Sequence, residues 1–325
     1  MANLIVTGEC NRRCSYCFGR DERGPIVRGS VTWPGFVAYL DYLGRSGFTE
    51  ARLLGGEPTR HPRFADMVRA CHTRGLEPLV FTNGLMQKGE LDALVDGGAR
   101  VVLNVNPPGP GGPSAEHDRQ REVVEALTHR VTLGITLEHV PVDASVHLEL
   151  LRRGAGPAVR VGLALPHAGA RRPPIPLPRL ARVGDELLRL GRALGAAGGQ
   201  VHLDCGFCRC MLSEPAMAEL GALSARLVFR CRPSIDVWPD LTVHPCYPLA
   251  DWPALGEITE PGIAHQDLIE RLQALTRLYR PVGLFTDCVD CALRARGSCD
   301  GGCLGWLRLR ARPLTSALPA RAERG

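Results

Sequence analysis

The residues best suited to chemistry in this sequence are its cysteines, thirteen of them in 325 residues. Cys10, Cys14 and Cys17 form one group, Cys205, Cys208 and Cys210 a second, and Cys231, Cys246, Cys288, Cys291, Cys299 and Cys303 a longer series; Cys71 stands alone. The first group, in "GECNRRCSYCFGRD", has the spacing C-x3-C-x2-C and no further Cys or His before His61. A structural zinc ion normally closes its shell with four protein ligands, so three thiols make a poor zinc knuckle. A [4Fe–4S] cube held by three thiolates instead leaves one iron open to a small molecule.

A second signal lies downstream in "LLGGEP", where Gly55, Gly56, Glu57 and Pro58 follow a short apolar run. Glycines let backbone approach a ligand closely, and a carboxylate can meet an ammonium group. Taken alone, Gly-Gly-x-Pro also reads as an ordinary strand-to-helix turn. Joined in order to the three cysteines, with Tyr16 just before Cys17, it resembles the radical S-adenosylmethionine (SAM) superfamily. That resemblance implies a cluster on Cys10, Cys14 and Cys17 whose open iron chelates SAM, and a GGEP segment at the end of the second strand that binds the amino group of SAM. It implies reductive cleavage of SAM to a 5′-deoxyadenosyl radical, hydrogen abstraction from a substrate, and an electron donor such as flavodoxin or ferredoxin. "FTNG" resembles a Thr-Asn-Gly turn of many members, which nominates Asn83 and Gly84; an ordinary Asn-Gly turn is the alternative. Asn104 and Asn106 share one face of a strand by the two-residue period. With Thr136, Glu138 and the backbone of "VGLALP", they fall where relatives hold the nucleoside, although a core asparagine satisfies the same pattern.

The later cysteines admit a zinc ribbon, for which C-x2-C pairs are usual. Their order resembles the SPASM extension, which holds one or two auxiliary [4Fe–4S] clusters. Cys231 and Cys246 have 14 residues between them, 41 more precede Cys288, and the final run is C-x2-C-x7-C-x3-C. The seven-residue gap is two residues longer than in that pattern, and no Cys follows Cys303, which leaves the second cluster's ligation open. Either the trio at 205–210 supplies ligands to both clusters, or Cys288, Cys291, Cys299 and Cys303 hold one and Cys205, Cys210, Cys231 and Cys246 the other. Cys208 is then a spare thiol, a candidate hydrogen-atom donor or a buried cysteine. Asp204 is a candidate catalytic base or a backbone cap. Cys71 falls in a helical apolar stripe and reads as core.

These residues need a scaffold, and short apolar runs alternate with helical patterns from "NLIVT" (3–7) to "QVHLD" (200–204). Such βα alternation predicts an α/β fold, a partial (β/α)6 TIM-like barrel with its chemistry at the C-terminal ends of the strands. Cys10 lies just past the first strand. The expected organisation is a barrel over 1–204, a Cys-rich auxiliary-cluster domain over 205–310 and a mobile tail over 311–325, with "LPHAGARRPPIPLPRL" (165–180) a long loop before the last barrel helix.

Composition sets the outer bounds. The chain is 45% hydrophobic, enough for a buried core, and has no apolar run of membrane-spanning length. Its start lacks the pattern of a signal peptide, and clustered cysteines suit cofactors in a reducing compartment, so a cytoplasmic protein is expected. The net charge of +5 comes from scattered arginines and a single lysine, Lys88. That is no nucleic-acid face. Oxidative modification of a peptide or protein is the expected reaction, because auxiliary clusters can accept an electron from a substrate radical. The alternative is a dehydrogenase, epimerase or decarboxylase acting on a sugar or aminocyclitol.

Overall fold

The computed structural model describes residues 1–21, 24–166 and 180–311. Seven parallel strands follow one another in space as in sequence: β1 (Ala2–Ile5), β2 (Glu50–Leu54), β3 (Glu77–Thr82), β4 (Arg100–Asn104), β5 (Val131–Leu137), β6 (Ala158–Leu163) and β7 (Gln200–Leu203). Between them run α1 (Trp33–Arg45), α2 (Phe64–Thr73), α3 (Lys88–Asp96), α4 (Ala115–Leu127), α5 (Ser145–Arg152) and α6 (Leu180–Ala196). The alternating pattern thus yields the expected TIM-like sheet. Most of the 165–180 segment and the 312–325 tail lie outside the described residues.

Local rules account for the elements. Thr32 caps α1 by accepting the Gly35 N–H at 3.2 Å, and Phe36, Tyr39, Leu40 and Leu43 form its buried stripe. Cys71 is fully buried on α2, as its place in the apolar stripe predicts, and burial pushes its thiol up to about 12. Along β6, Val159, Val161 and Leu163 are buried under the helices while Ala158, Arg160 and Gly162 face the other side. The same alternation on β2 and β7 gives the sheet one apolar, helix-covered face and one polar, concave face.

The sheet does not stop at residue 204. A short strand β8 (Ser224–Arg226), reached through α7 (Glu214–Ala222), pairs parallel with β7, and β9 (Ile235–Val237) pairs parallel with β1 on the opposite edge. Two antiparallel strands, β10 (Thr242–Pro245) and β11 (Gly256–Glu257), complete an open eleven-stranded sheet. Asn3 on β1 donates to Asp236 on β9 at 2.7 Å, a buried bond across 233 residues. Residues 205–311 therefore clasp both edges of the barrel and share its core. Three further helices follow: α8 (His265–Thr276), the one-turn α9 (Ala292–Ala295) and α10 (Leu304–Ala311).

The turn at Arg209–Met211, which carries Cys210, lies directly on α6. A Cβ on Gly184 would stand 1.8 Å from the Met211 carbonyl oxygen. Gly184→Ala must push that turn away, and the expected cost is about 1–3 kcal/mol of stability, read by equilibrium denaturant unfolding. An unchanged midpoint would show that helix and turn are not in contact.

Candidate active site

The three leading cysteines sit where β1 ends, all half-buried. Their loop is fixed by backbone bonds to the end of β2, from Gly56 N–H to Thr7 O and from Glu57 N–H to Glu9 O, both 2.7 Å. A Cβ on Gly56 would come within 2.1 Å of the Glu9 oxygen, so only glycine allows this approach. The glycines expected to admit a ligand thus first admit the thiol loop.

Glu57 is buried, 1% exposed, and its carboxylate is fully engaged. Oε1 accepts from the hydroxyls of Thr59 at 2.9 Å and Thr82 at 2.7 Å and from the Thr59 N–H at 3.3 Å; Oε2 accepts from the Asn83 N–H at 2.8 Å. Burial raises its pKa, and these four donors pull the other way. Glu57 therefore locks the end of β2 to the end of β3. Pro58 opens the 3₁₀ turn that follows. Thr82 and Asn83 belong to the FTNG turn: the Asn83 amide reaches Asn11 in the thiol loop at 2.7 Å, and Gly84, at φ 79°, completes the turn.

Asn106 meets the same loop. Its Nδ2 points at Cys14 Sγ at 3.8 Å, and its Oδ1 accepts from the Tyr16 hydroxyl. The Arg12 N–H donates to Cys10 Sγ at 3.4 Å. N–H groups aimed at sulfur favour thiolates, so the donor set suits an iron–sulfur cluster. Desolvation raises Cys10 and Cys17 in the bare loop. Asn104 ends β4 with its carbonyl accepting from Arg12 at 3.5 Å. Thr136 is half-buried on β5, and Glu138 accepts from Ser15 at 2.7 Å.

Several contributors escape sequence reading. His117 and Gln120 on α4 reach back to the carbonyls of Asn106 at 3.1 Å and Asn83 at 2.8 Å, steadying two strand ends. Their signal is two polar residues three apart on the buried side of a helix. Arg160, a charge inside the apolar run "AVRVGL", pairs with Asp204 at 2.6 Å and lies 5.2 Å over the Phe81 ring. Asp204 thus follows β7 on the polar face, as an ion-paired carboxylate.

Eight of the nine later cysteines, all but Cys291, gather beyond that rim. The Cys208 thiol lies against those of Cys210 and Cys299, and these contacts hold Cys210 near 7 and Cys299 near 6 while driving Cys208 up. Cys288 feels both Cys210 and Cys299. Separately, the Cys231 thiol meets that of Cys303, which also feels Cys205 and Cys246. Among the described residues no three donor side chains are arranged around a single metal ion. Tyr247, beside Cys246, packs on the leading loop, its ring 5.6 Å from that of Phe18.

Residues 4–161 match the family model described as the radical SAM superfamily. The chain carries a radical SAM domain. The cofactors of that superfamily are a [4Fe–4S] cluster and SAM. Among curated proteins, the chain is similar to GTP 3′,8-cyclase of Chlorobaculum tepidum, 35% identical over 97 residues and 29% of each chain. It is 30% identical over 196 residues, 58% of this chain and 48% of the other, to a tungsten-containing aldehyde ferredoxin oxidoreductase cofactor-modifying protein of Pyrococcus furiosus. To an S-adenosylmethionine-dependent nucleotide dehydratase of Selenomonas ruminantium it is 30% identical over 169 residues, 50% of this chain and 54% of the other. The matches thus span about half or less of these relatives. The fold resembles Streptococcus suis SuiB bound to S-adenosylmethionine, with TM-score 0.64 and 15% identity over 94% of this chain and 72% of SuiB. It also resembles SuiB bound to its precursor peptide SuiA, with TM-score 0.63, 14% identity, and coverage of 94% and 71%.

The engaged carboxylate of Glu57 sets an expectation that does not involve SAM. Glu57→Ala strips an acceptor from four buried donors and should lower the stability of the SAM-free protein by at least about 1–3 kcal/mol, measured by denaturant unfolding. A variant with wild-type stability and weakened SAM binding would instead make Glu57 chiefly a ligand to the amino group.

Proposed function

We propose that the chain is a radical SAM enzyme with auxiliary iron–sulfur clusters in its C-terminal region, and that it oxidatively modifies a peptide or protein. The observation that carries this reading is the convergence of eight of the nine later cysteines beyond the end of β7, within a fold that follows SuiB over 94% of the chain. SuiB has been seen bound to a precursor peptide, which supports a peptide substrate here.

Cys10, Cys14 and Cys17 would hold the first cluster, and Asn83, Asn104, Asn106 and Thr136, at or near the ends of β3, β4 and β5, would line the space for SAM. Bound there, the cluster and SAM would supply radical chemistry directed at an unreactive C–H bond. The residues of the chain orient and enclose: the Glu57 clamp fixes two strand ends, Tyr16 and Asn106 tie the thiol loop to the end of β4, and helices cover the outer face. Asp204, paired with Arg160 at 2.6 Å, would accept a proton from the oxidised substrate. Cys205, the next residue, would help hold an auxiliary cluster, whose chemistry would be to accept an electron.

The test uses anaerobically reconstituted protein and dithionite. Formation of 5′-deoxyadenosine should rise with a peptide substrate, and the peptide should lose two hydrogens by mass spectrometry. Stimulation by a nucleotide, sugar or aminocyclitol and by no peptide would overturn the substrate class. Replacing Cys10, Cys14 and Cys17 together by Ala should abolish 5′-deoxyadenosine and remove roughly four iron atoms. Asp204→Asn should keep its iron and substrate-triggered SAM cleavage yet fail to complete the product. Normal product from that variant would eliminate Asp204 as base.

A further inference from the structure

The late cysteines divide in a way the linear order of the chain conceals. The loop Cys299–Cys303, "CDGGC", carries two consecutive glycines in the left-handed region, Gly301 at φ 78° and Gly302 at φ 103°. This double reversal sends its two cysteines to different places. Cys299 turns toward Cys208, with the Gly301 N–H donating to its sulfur at 3.3 Å. Cys303 turns toward Cys231, with the Gly305 N–H donating to its sulfur at 3.3 Å and the Leu304 N–H reaching Cys231 Sγ at 3.5 Å.

The segment after β7 divides in the same way. Cys205 lies on the side of Cys303, since a Cβ on the next residue, Gly206, would stand 3.8 Å from the Cys303 Cβ, and Cys231 and Cys246 act on the same thiol. Three residues on, Cys208 faces Cys210 and Cys299, and a Cβ on Gly302 would stand only 3.2 Å from Cys208 Sγ. Gly283 makes room for Cys288 in the same place, since a Cβ there would meet the Cys288 sulfur at 2.5 Å. Cys208, Cys231, Cys288, Cys299 and Cys303 are each less than 9% exposed, so unpaired thiolates there would be costly. None of these contacts involves Cys291, which is half-buried and opens α9.

We propose that Cys208, Cys210, Cys288 and Cys299 form one four-thiolate iron–sulfur site, that Cys205, Cys231, Cys246 and Cys303 form a second beside it, and that Cys291 ligates neither. The first site needs no cysteine beyond Cys303, because the segment leaving the barrel supplies two of its ligands. Cys208 is then a ligand and not a hydrogen-atom donor. The assignment rests on the auxiliary-cluster reading above.

The experiment counts iron in full-length protein in which Cys10, Cys14 and Cys17 are Ala, so that only the later cysteines contribute. After anaerobic reconstitution this background should hold roughly eight iron atoms, two [4Fe–4S] clusters. Adding Cys208→Ala with Cys210→Ala should leave about half, with one of two electron-paramagnetic-resonance signals lost on reduction. Adding Cys231→Ala with Cys303→Ala should leave the complementary half and the other signal. Cys291→Ala should change neither iron nor spectrum. Cys288→Ser repeats the first loss from the opposite loop, should the paired change disturb folding seen by circular dichroism. If Cys291→Ala halves the iron while Cys208→Ala with Cys210→Ala does not, the partition is wrong and the auxiliary-cluster reading survives. A background that binds no iron, or binds zinc, rejects both.

Discussion

Everything at the rim depends on how closely the thiol loop lies against the end of β2. Two backbone bonds of 2.7 Å and the missing side chain of Gly56 set that distance. The Glu57 carboxylate then ties the end of β2 to the end of β3, and Asn83 passes the tie back to Asn11 in the loop. One buried acidic group thus holds three chain segments that meet nowhere else in sequence. The four donors offset the desolvation that makes an isolated buried carboxylate so costly. Such a group is fixed by geometry more than by affinity.

The polar face of the sheet follows from the same economy. Helices cover the apolar side, so charges can lie only on the concave side, where Arg160, Asp204 and the aromatic ring of Phe81 form one contact set. His202 on the neighbouring strand is held below the ordinary imidazole range, by burial first and then by Arg226 and Arg160. The face beside Asp204 therefore carries guanidinium charge next to an imidazole whose charged form is disfavoured.

Much of this was legible in the sequence, and the boundary of legibility is physical. Cysteine spacing and the GGEP segment were readable because cluster chemistry demands particular residue types a few positions apart. The seven strands were readable because each is a run of apolar residues with a helix after it. The GGEP pattern makes Glu57 a contact for a ligand, whereas the structure gives its carboxylate to Thr59, Thr82 and Asn83. Two of those partners lie about 25 residues on, where no local pattern reaches. The edge strands β8 and β9 are three residues each and carry no period of their own. The direction in which Cys299 and Cys303 turn depends on the dihedral angles of Gly301 and Gly302, which spacing alone cannot express.

The pairing of β1 with β9 also orders events in time. Ala2 lies opposite Ile235 and Leu4 opposite Val237, so during synthesis one edge of the first strand has no partner until more than 230 residues have been made. The leading thiol loop is complete long before that, at Cys17. Throughout that interval the nascent barrel offers an apolar strand edge and three unprotected thiols together, the combination most open to mispairing and oxidation. Closure by β9 ends both exposures at once, because the turn that follows β10 lays Tyr247 over the loop as the sheet edge is sealed. Growth temperature and oxygen during expression should therefore decide the yield of intact protein as much as any contact in the finished fold.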